Sequence, residues 1–135
     1  MCQRDRDFCR LWVAMGTLLL LLAACAGPQT RYPVPAGEGE KTVPLVATSF
    51  DFEPGVIAAR QGDRLLLRVD NRSGTEHNLT VLSPAGEVLV DRVLPGETVV
   101  EIPLTLTAAG TYPFHCGKFM HPAMGMKGEI VAAPN

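Results

Sequence analysis

From Thr42 onward, apolar and polar residues alternate in short runs separated by turn signals. In GDRLLLRVDN, Leu65, Leu67 and Val69 fall on one face while Arg64, Arg68 and Asp70 fall on the other. In ETVVEIPLTLT the inward set is Thr98, Val100, Ile102, Leu104 and Leu106. Successive side chains of an extended chain point to opposite faces, so a period of two marks a half-buried strand. Weaker runs cover VPLVATSFDF, GVIAAR, HNLTVL, EVLVDRV, GTYPFHC and KGEIVA. The turns between them are Gly62-Asp63, Ser73-Gly74, Pro84-Ala85-Gly86, Pro95-Gly96 and Ala109-Gly110. No amphipathic helix of ten residues interrupts them. Seven or eight short strands at this spacing predict an all-β fold, a two-sheet antiparallel sandwich. The roughly 90 residues available suffice for one such core and are too few for two.

Two segments depart from the alternation. Residues 26–41, AGPQTRYPVPAGEGEK, are rich in proline and glycine and hold little to bury. They read as an extended tether reaching about 50 Å at ~3.1 Å per residue. Ahead of them, Arg4, Arg6 and Arg10 precede LWVAMGTLLLLLAA, an apolar run over residues 11–24. Its length suits a signal segment and falls short of the roughly 20 residues that span a bilayer. The boundary Leu22-Ala23-Ala24-Cys25 resembles the bacterial lipobox, which implies cleavage before Cys25 and acylation of its thiol. The expected layout is therefore a lipoprotein-type signal peptide over 1–24, a lipidated Cys25 with a tether to 41, and one domain over 42–135. The expected location is extracytoplasmic or periplasmic, anchored to a membrane.

That location changes the meaning of the cysteines. Cys2 and Cys9 leave with the leader and Cys25 carries lipid, so Cys116 has no disulfide partner where disulfides normally form. Something must occupy the thiol if it is to escape oxidation. The chain carries 12 Lys+Arg against 14 Asp+Glu, with no basic run or stripe, which argues against nucleic acid as a partner. It lacks G-x-S-x-G, a phosphate-cradling G-x-x-x-x-G-K and a glycine-rich dinucleotide turn, and no orienting group is suggested for a catalytic Cys/His pair.

The soft donors are concentrated in TYPFHCGKFMHPAMGMKG, residues 111–128. Cys116, His121 and Met126 stand at C-x4-H-x4-M spacing, offering a thiolate, an imidazole and a thioether on one loop. His77, where SGTEHNLTV turns into a strand, is the distant nitrogen that a sandwich can bring to the same end. Two imidazoles, a thiolate and a weak axial methionine form the ligand set of blue-copper sites. His115 precedes Cys116 in an extended strand and points to the other face, so it is read as structural.

In these residues, and in FDFEPGVIAARQGDRLLLRVDN, EHN, LPGET, AGTYPFHC and GMKGEIV, the chain from about Val46 to Ala132 resembles the cupredoxin family of blue copper proteins. The loop spacing is similar to that of rusticyanin and auracyanin. The resemblance implies a Greek-key β-sandwich holding one copper ion through His77, Cys116, His121 and Met126. Met124 is the alternative axial donor, at the H-x2-M distance of amicyanin-like loops, while Met126-Lys127-Gly128 aligns with the family ending. Backbone N–H groups of Asn78 and Lys118 are expected to donate to the Cys116 sulfur. Phe119, Met120, Pro122, Ala123 and Met124 would form an apolar collar around His121. The implied function is non-enzymatic electron transfer by a monomer, cycling between Cu(I) and Cu(II) with redox partners such as a cytochrome or an oxidase. The other reading is a periplasmic carrier that delivers Cu(I) through the methionine-rich loop.

Overall fold

The computed structural model describes residues 29–118 and 124–135. The expected signal segment, Cys25, His121 and the expected collar residues 119, 120, 122 and 123 lie outside the described residues. Ten strands occur among those described, and no helix: β1 (Arg31–Pro33), β2 (Glu40–Ala47), β3 (Phe52–Glu53), β4 (Val56–Arg60), β5 (Arg64–Asn71), β6 (His77–Leu82), β7 (Val88–Leu94), β8 (Thr98–Thr105), β9 (Gly110–His115) and β10 (Lys127–Ala133). They form a six-stranded sheet in the order β1-β4-β10-β9-β6-β7 and a four-stranded sheet in the order β3-β2-β5-β8. The count exceeds the expected seven or eight because β1 and β3 span only three and two residues, too short to leave a period.

Alternation becomes burial as expected in the central strands. Leu65, Leu67 and Val69 of β5 and Ile102 and Leu104 of β8 are buried between the sheets. At the open end of β8 the pattern yields: Thr98 is exposed, and its hydroxyl donates to the Pro95 carbonyl at 2.7 Å. The two sheets meet through aromatic residues, with Phe52 and Phe114 packed edge to face at a 5.7 Å ring separation. The buried Tyr112 hydroxyl accepts the Ala108 N–H at 3.0 Å and donates to the Ala108 carbonyl at 2.8 Å, pinning the turn ahead of β9.

Two features differ from the expectation. The sandwich is mixed, since β1 with β4, β4 with β10, and β2 with β5 run parallel. Hydrophobic alternation fixes which face a residue occupies and carries no information on the direction of the neighbouring strand. The segment expected as a tether is also partly built into the domain. Residues 31–33 pair with β4 as an edge strand, and β2 begins at Glu40. Tyr32 and Val34 pack against the core from this segment and help hold it there.

Strand directions bring several chain ends together. The C-terminal ends of β2, β5 and β9 and the N-terminal ends of β6 and β10 share one end of the sandwich. The opposite end holds the Gln61–Asp63 turn, where the mostly buried Lys41 and Asp63 side chains form an ion pair.

Candidate metal centre

His77 is the first residue of β6 and continues the inward row of Leu79 and Val81, so its ring is carried into the end of the sandwich and fully buried. Cys116 extends the inward row of Tyr112 and Phe114 one step past β9 and is likewise fully buried. Its backbone N–H donates to the Met126 carbonyl at 3.1 Å. Met126, also fully buried, follows Gly125 at φ 110°, a left-handed turn that suits glycine, and leads into β10. His115 is out of phase with the inward row and half-buried. Met124, by contrast, is 53% exposed.

A hydrogen-bond chain places a proton on Nε2 of the His77 ring. Asn71 Nδ2 lies 2.9 Å from the Thr75 carbonyl, 2.9 Å from the Leu94 carbonyl and 3.0 Å from the Pro95 carbonyl. Carbonyls only accept, so the amide nitrogen must face them and Oδ1 must face Ser73. That oxygen accepts the Ser73 N–H at 3.1 Å and the Ser73 hydroxyl at 2.8 Å, with the Thr75 carbonyl a second acceptor at 3.0 Å. Ser73 has a single hydroxyl hydrogen, and both of these neighbours are acceptors. Its oxygen therefore receives the His77 Nε2–H, 2.8 Å away. In the neutral ring Nδ1 then carries the lone pair, and it lies 3.9 Å from Cys116 Sγ.

A second chain holds the sulfur side. Asn78 Nδ2 donates to the Asp91 carboxylate on β7 at 2.9 Å and to Thr80 Oγ1 at 3.2 Å, which turns Oδ1 toward the Cys116 segment. Oδ1 accepts the Gly117 N–H at 2.6 Å and the Cys116 thiol at 3.3 Å. A Cβ on Gly117 would come within 3.1 Å of Asn78 Nδ2, so the residue after Cys116 is held close to this amide. Lys118 is placed by an ion pair from Nζ to Glu76 at 2.9 Å, linking the segment after Cys116 to the residue before His77.

The structure thus brings His77, Cys116 and Met126 to one end, with Asn78 and Lys118 beside them and Met124 out in solvent. Among the described residues no cluster of three or more His, Cys, Asp or Glu side chains forms a metal site. The donors nevertheless fit a soft ion. A lone-pair imidazole nitrogen and a sulfur 3.9 Å apart can bond one ion, since metal–N and metal–S bonds of about 2.0 and 2.3 Å together exceed that separation. Sequence reasoning missed Asn71, Ser73, Thr75 and Asp91. The available signal was the run of short polar side chains in DNRSGTEHN, each able to bond locally to backbone or ring nitrogen.

A family model described as a cupredoxin-like domain matches residues 13–132. The chain belongs to the cupredoxin family. Among solved cupredoxin structures, the reduced auracyanin of Roseiflexus castenholzii is 21% identical with a TM-score of 0.62, covering 69% of this chain and 97% of that one. Auracyanin A of Chloroflexus aurantiacus, described as a "blue" copper protein, is 20% identical with a TM-score of 0.62, covering 72% and 100%. The metal-binding domain of a Cu(I)-exporting P-type ATPase of Streptococcus pneumoniae is 15% identical with a TM-score of 0.61, covering 79% and 99%. At these identities the likeness is one of fold. No curated protein matches the chain.

Proposed function

We propose that this cupredoxin is an extracytoplasmic electron-transfer protein that holds one copper ion through His77, Cys116, His121 and Met126, and that lipid on Cys25 anchors it to a membrane. The observation that carries this reading is His77 Nδ1 facing Cys116 Sγ at 3.9 Å in a fully buried setting. Bound copper would supply a single electron's storage by alternating between Cu(I) and Cu(II). The chain's own residues do the rest. Ser73 and Asn71 fix the imidazole, the Asn78 amide and Gly117 fix the sulfur, and the packed core excludes water. Rigid donors lower the rearrangement that accompanies each electron. Four protein donors leave no open position for a substrate, so the reading is non-enzymatic.

Met126 is favoured over Met124 as axial donor because it is buried and tied to Cys116 by the backbone bond. Backbone donation from Asn78 and Lys118 to the sulfur would draw electron density from the thiolate and raise the potential. Titrating the domain with copper should give one equivalent bound, with an intense blue or green thiolate charge-transfer band and a Cu(II) paramagnetic resonance signal. Cys116→Ser should abolish the band and leave the fold intact, because a hard hydroxyl replaces a soft thiolate. A coloured serine variant would place the site elsewhere. The exposed thioether of Met124 favours the second reading, a Cu(I) carrier. Rapid loss of copper to a competing chelator would select it, and retention would select electron transfer.

A further inference from the structure

We infer that the lipid on Cys25 holds the molecule with its donor-bearing end at the bilayer surface, so that its redox partner is a protein embedded in the same membrane. The inference rests on the lipidation proposed above; the strand geometry that sets the orientation does not.

β1 runs parallel to β4, and β4 runs parallel to β10, which begins immediately after Met126. In register, Arg31 and Glu129 both pair with Val56. The Val56 N–H donates to the Thr30 carbonyl at 3.0 Å, so the chain is already fastened at Thr30. It therefore enters the domain from the donor-bearing end. Between Cys25 and Thr30 the sequence allows five Cα steps, a reach of about 18 Å at ~3.6 Å each. Thr30 lies level with Gly128, and the strand from Gly128 to the far end at Asn135 covers about 23 Å at ~3.3 Å per residue. The linker is too short to carry the domain with its far end against the membrane. A free tether over 26–41 would have allowed any orientation.

Sideways, three strand spacings separate β1 from β9 in the sheet order, about 14 Å at ~4.8 Å each. Cys116 is thus close to the point where the chain leaves for the anchor. Phe50 and Met124, 44% and 53% exposed, are large apolar side chains at this end and suit a weak, brief docking with protein. A partner confined to the same plane meets this end at a high effective concentration, whereas a soluble partner must enter between domain and bilayer.

The test uses the full lipidated chain carrying Cys116→Ser, with one reporter thiol introduced at the donor-bearing end by Asp51→Cys or at the far end by Glu38→Cys. Each is labelled with a fluorophore in phosphatidylcholine vesicles bearing a headgroup-attached quencher. The expected result is loss of most fluorescence at position 51 and little at 38. Equal quenching, or stronger quenching at 38, overturns the orientation, and a chain that fails to sediment with vesicles overturns the anchor and the inference with it. In the copper-loaded protein, a flexible Gly/Ser spacer of about 20 residues between Gly27 and Pro28 should slow electron exchange with membranes severalfold and leave exchange with a soluble redox reagent unchanged. Undiminished exchange with membranes overturns the partner class. Absence of the charge-transfer band would sink the copper reading and leave the quenching result standing.

Discussion

Ser73 matters because it has one hydrogen to give and two acceptors to give it to. With that hydrogen committed to Asn71 and Thr75, its oxygen can serve only as acceptor for the His77 ring. Ser73→Ala should leave the buried Nε2–H only the longer 3.4 Å approach to Thr75 Oγ1, destabilising the metal-free protein by about 1–3 kcal/mol. It should also weaken copper binding by about 10–100-fold, because the ring loses the partner that orients it. Thermal unfolding and a copper titration check the two effects, and Ser73→Thr, which keeps the hydroxyl, should restore most of both. At this scale the sequence showed the soft donors and hid what supports them. Cys116 and His77 stand out because a thiol and an imidazole are chemically unlike their neighbours. Asn71, Ser73 and Thr75 look like any turn, and only the fold reveals that three carbonyls converge on one amide. The Asn78 side chain illustrates the same limit. Its position beside His77 was legible, but its bond to Asp91 depends on β7 lying next to β6.

Strands were the most legible elements, because the inward rows of the longer ones, such as Leu65, Leu67 and Val69 in β5, are written in the sequence at a spacing of two. Their relations were less so. The parallel pairing of β2 with β5, and the recruitment of residues 31–33 to a sheet edge, depend on partners far away in sequence. One close approach between elements is set by a missing side chain. A Cβ on Gly128 of β10 would overlap the Phe114 ring of β9 and the Gly55 carbonyl. Gly128→Ala should therefore force β10 away from both neighbours, costing about 1–3 kcal/mol by overpacking. A lowered thermal midpoint in the metal-free protein checks this. Because Met126 lies two residues upstream on the same segment, the variant's charge-transfer band should also shift.

At the scale of the molecule, the end opposite the donors is fastened by a mostly buried ion pair between Lys41 and Asp63. Burial pushes the Asp63 carboxyl up, but its hydrogen bonds to Lys41 and the Arg60 N–H, with the charges of Lys41 and Arg60, outweigh burial and hold it below its ordinary value. A depressed carboxyl stabilises the fold above its unfolded-state value of about 3.9, and that contribution disappears as pH falls through the lower folded value. Asp63→Asn should therefore lower the thermal midpoint at neutral pH, with the difference from the parent shrinking in acid. The β1 edge of the larger sheet bears on self-association. Residues 31–33 occupy the hydrogen-bonding side of β4 that would otherwise lie open beside Val56, Ile57 and Ala58. A chain begun at residue 42, where the alternation starts, would expose that side as a template for another copy. Such a chain should form concentration-dependent oligomers by gel filtration, while one begun at residue 29 keeps its own cover and runs as a single species.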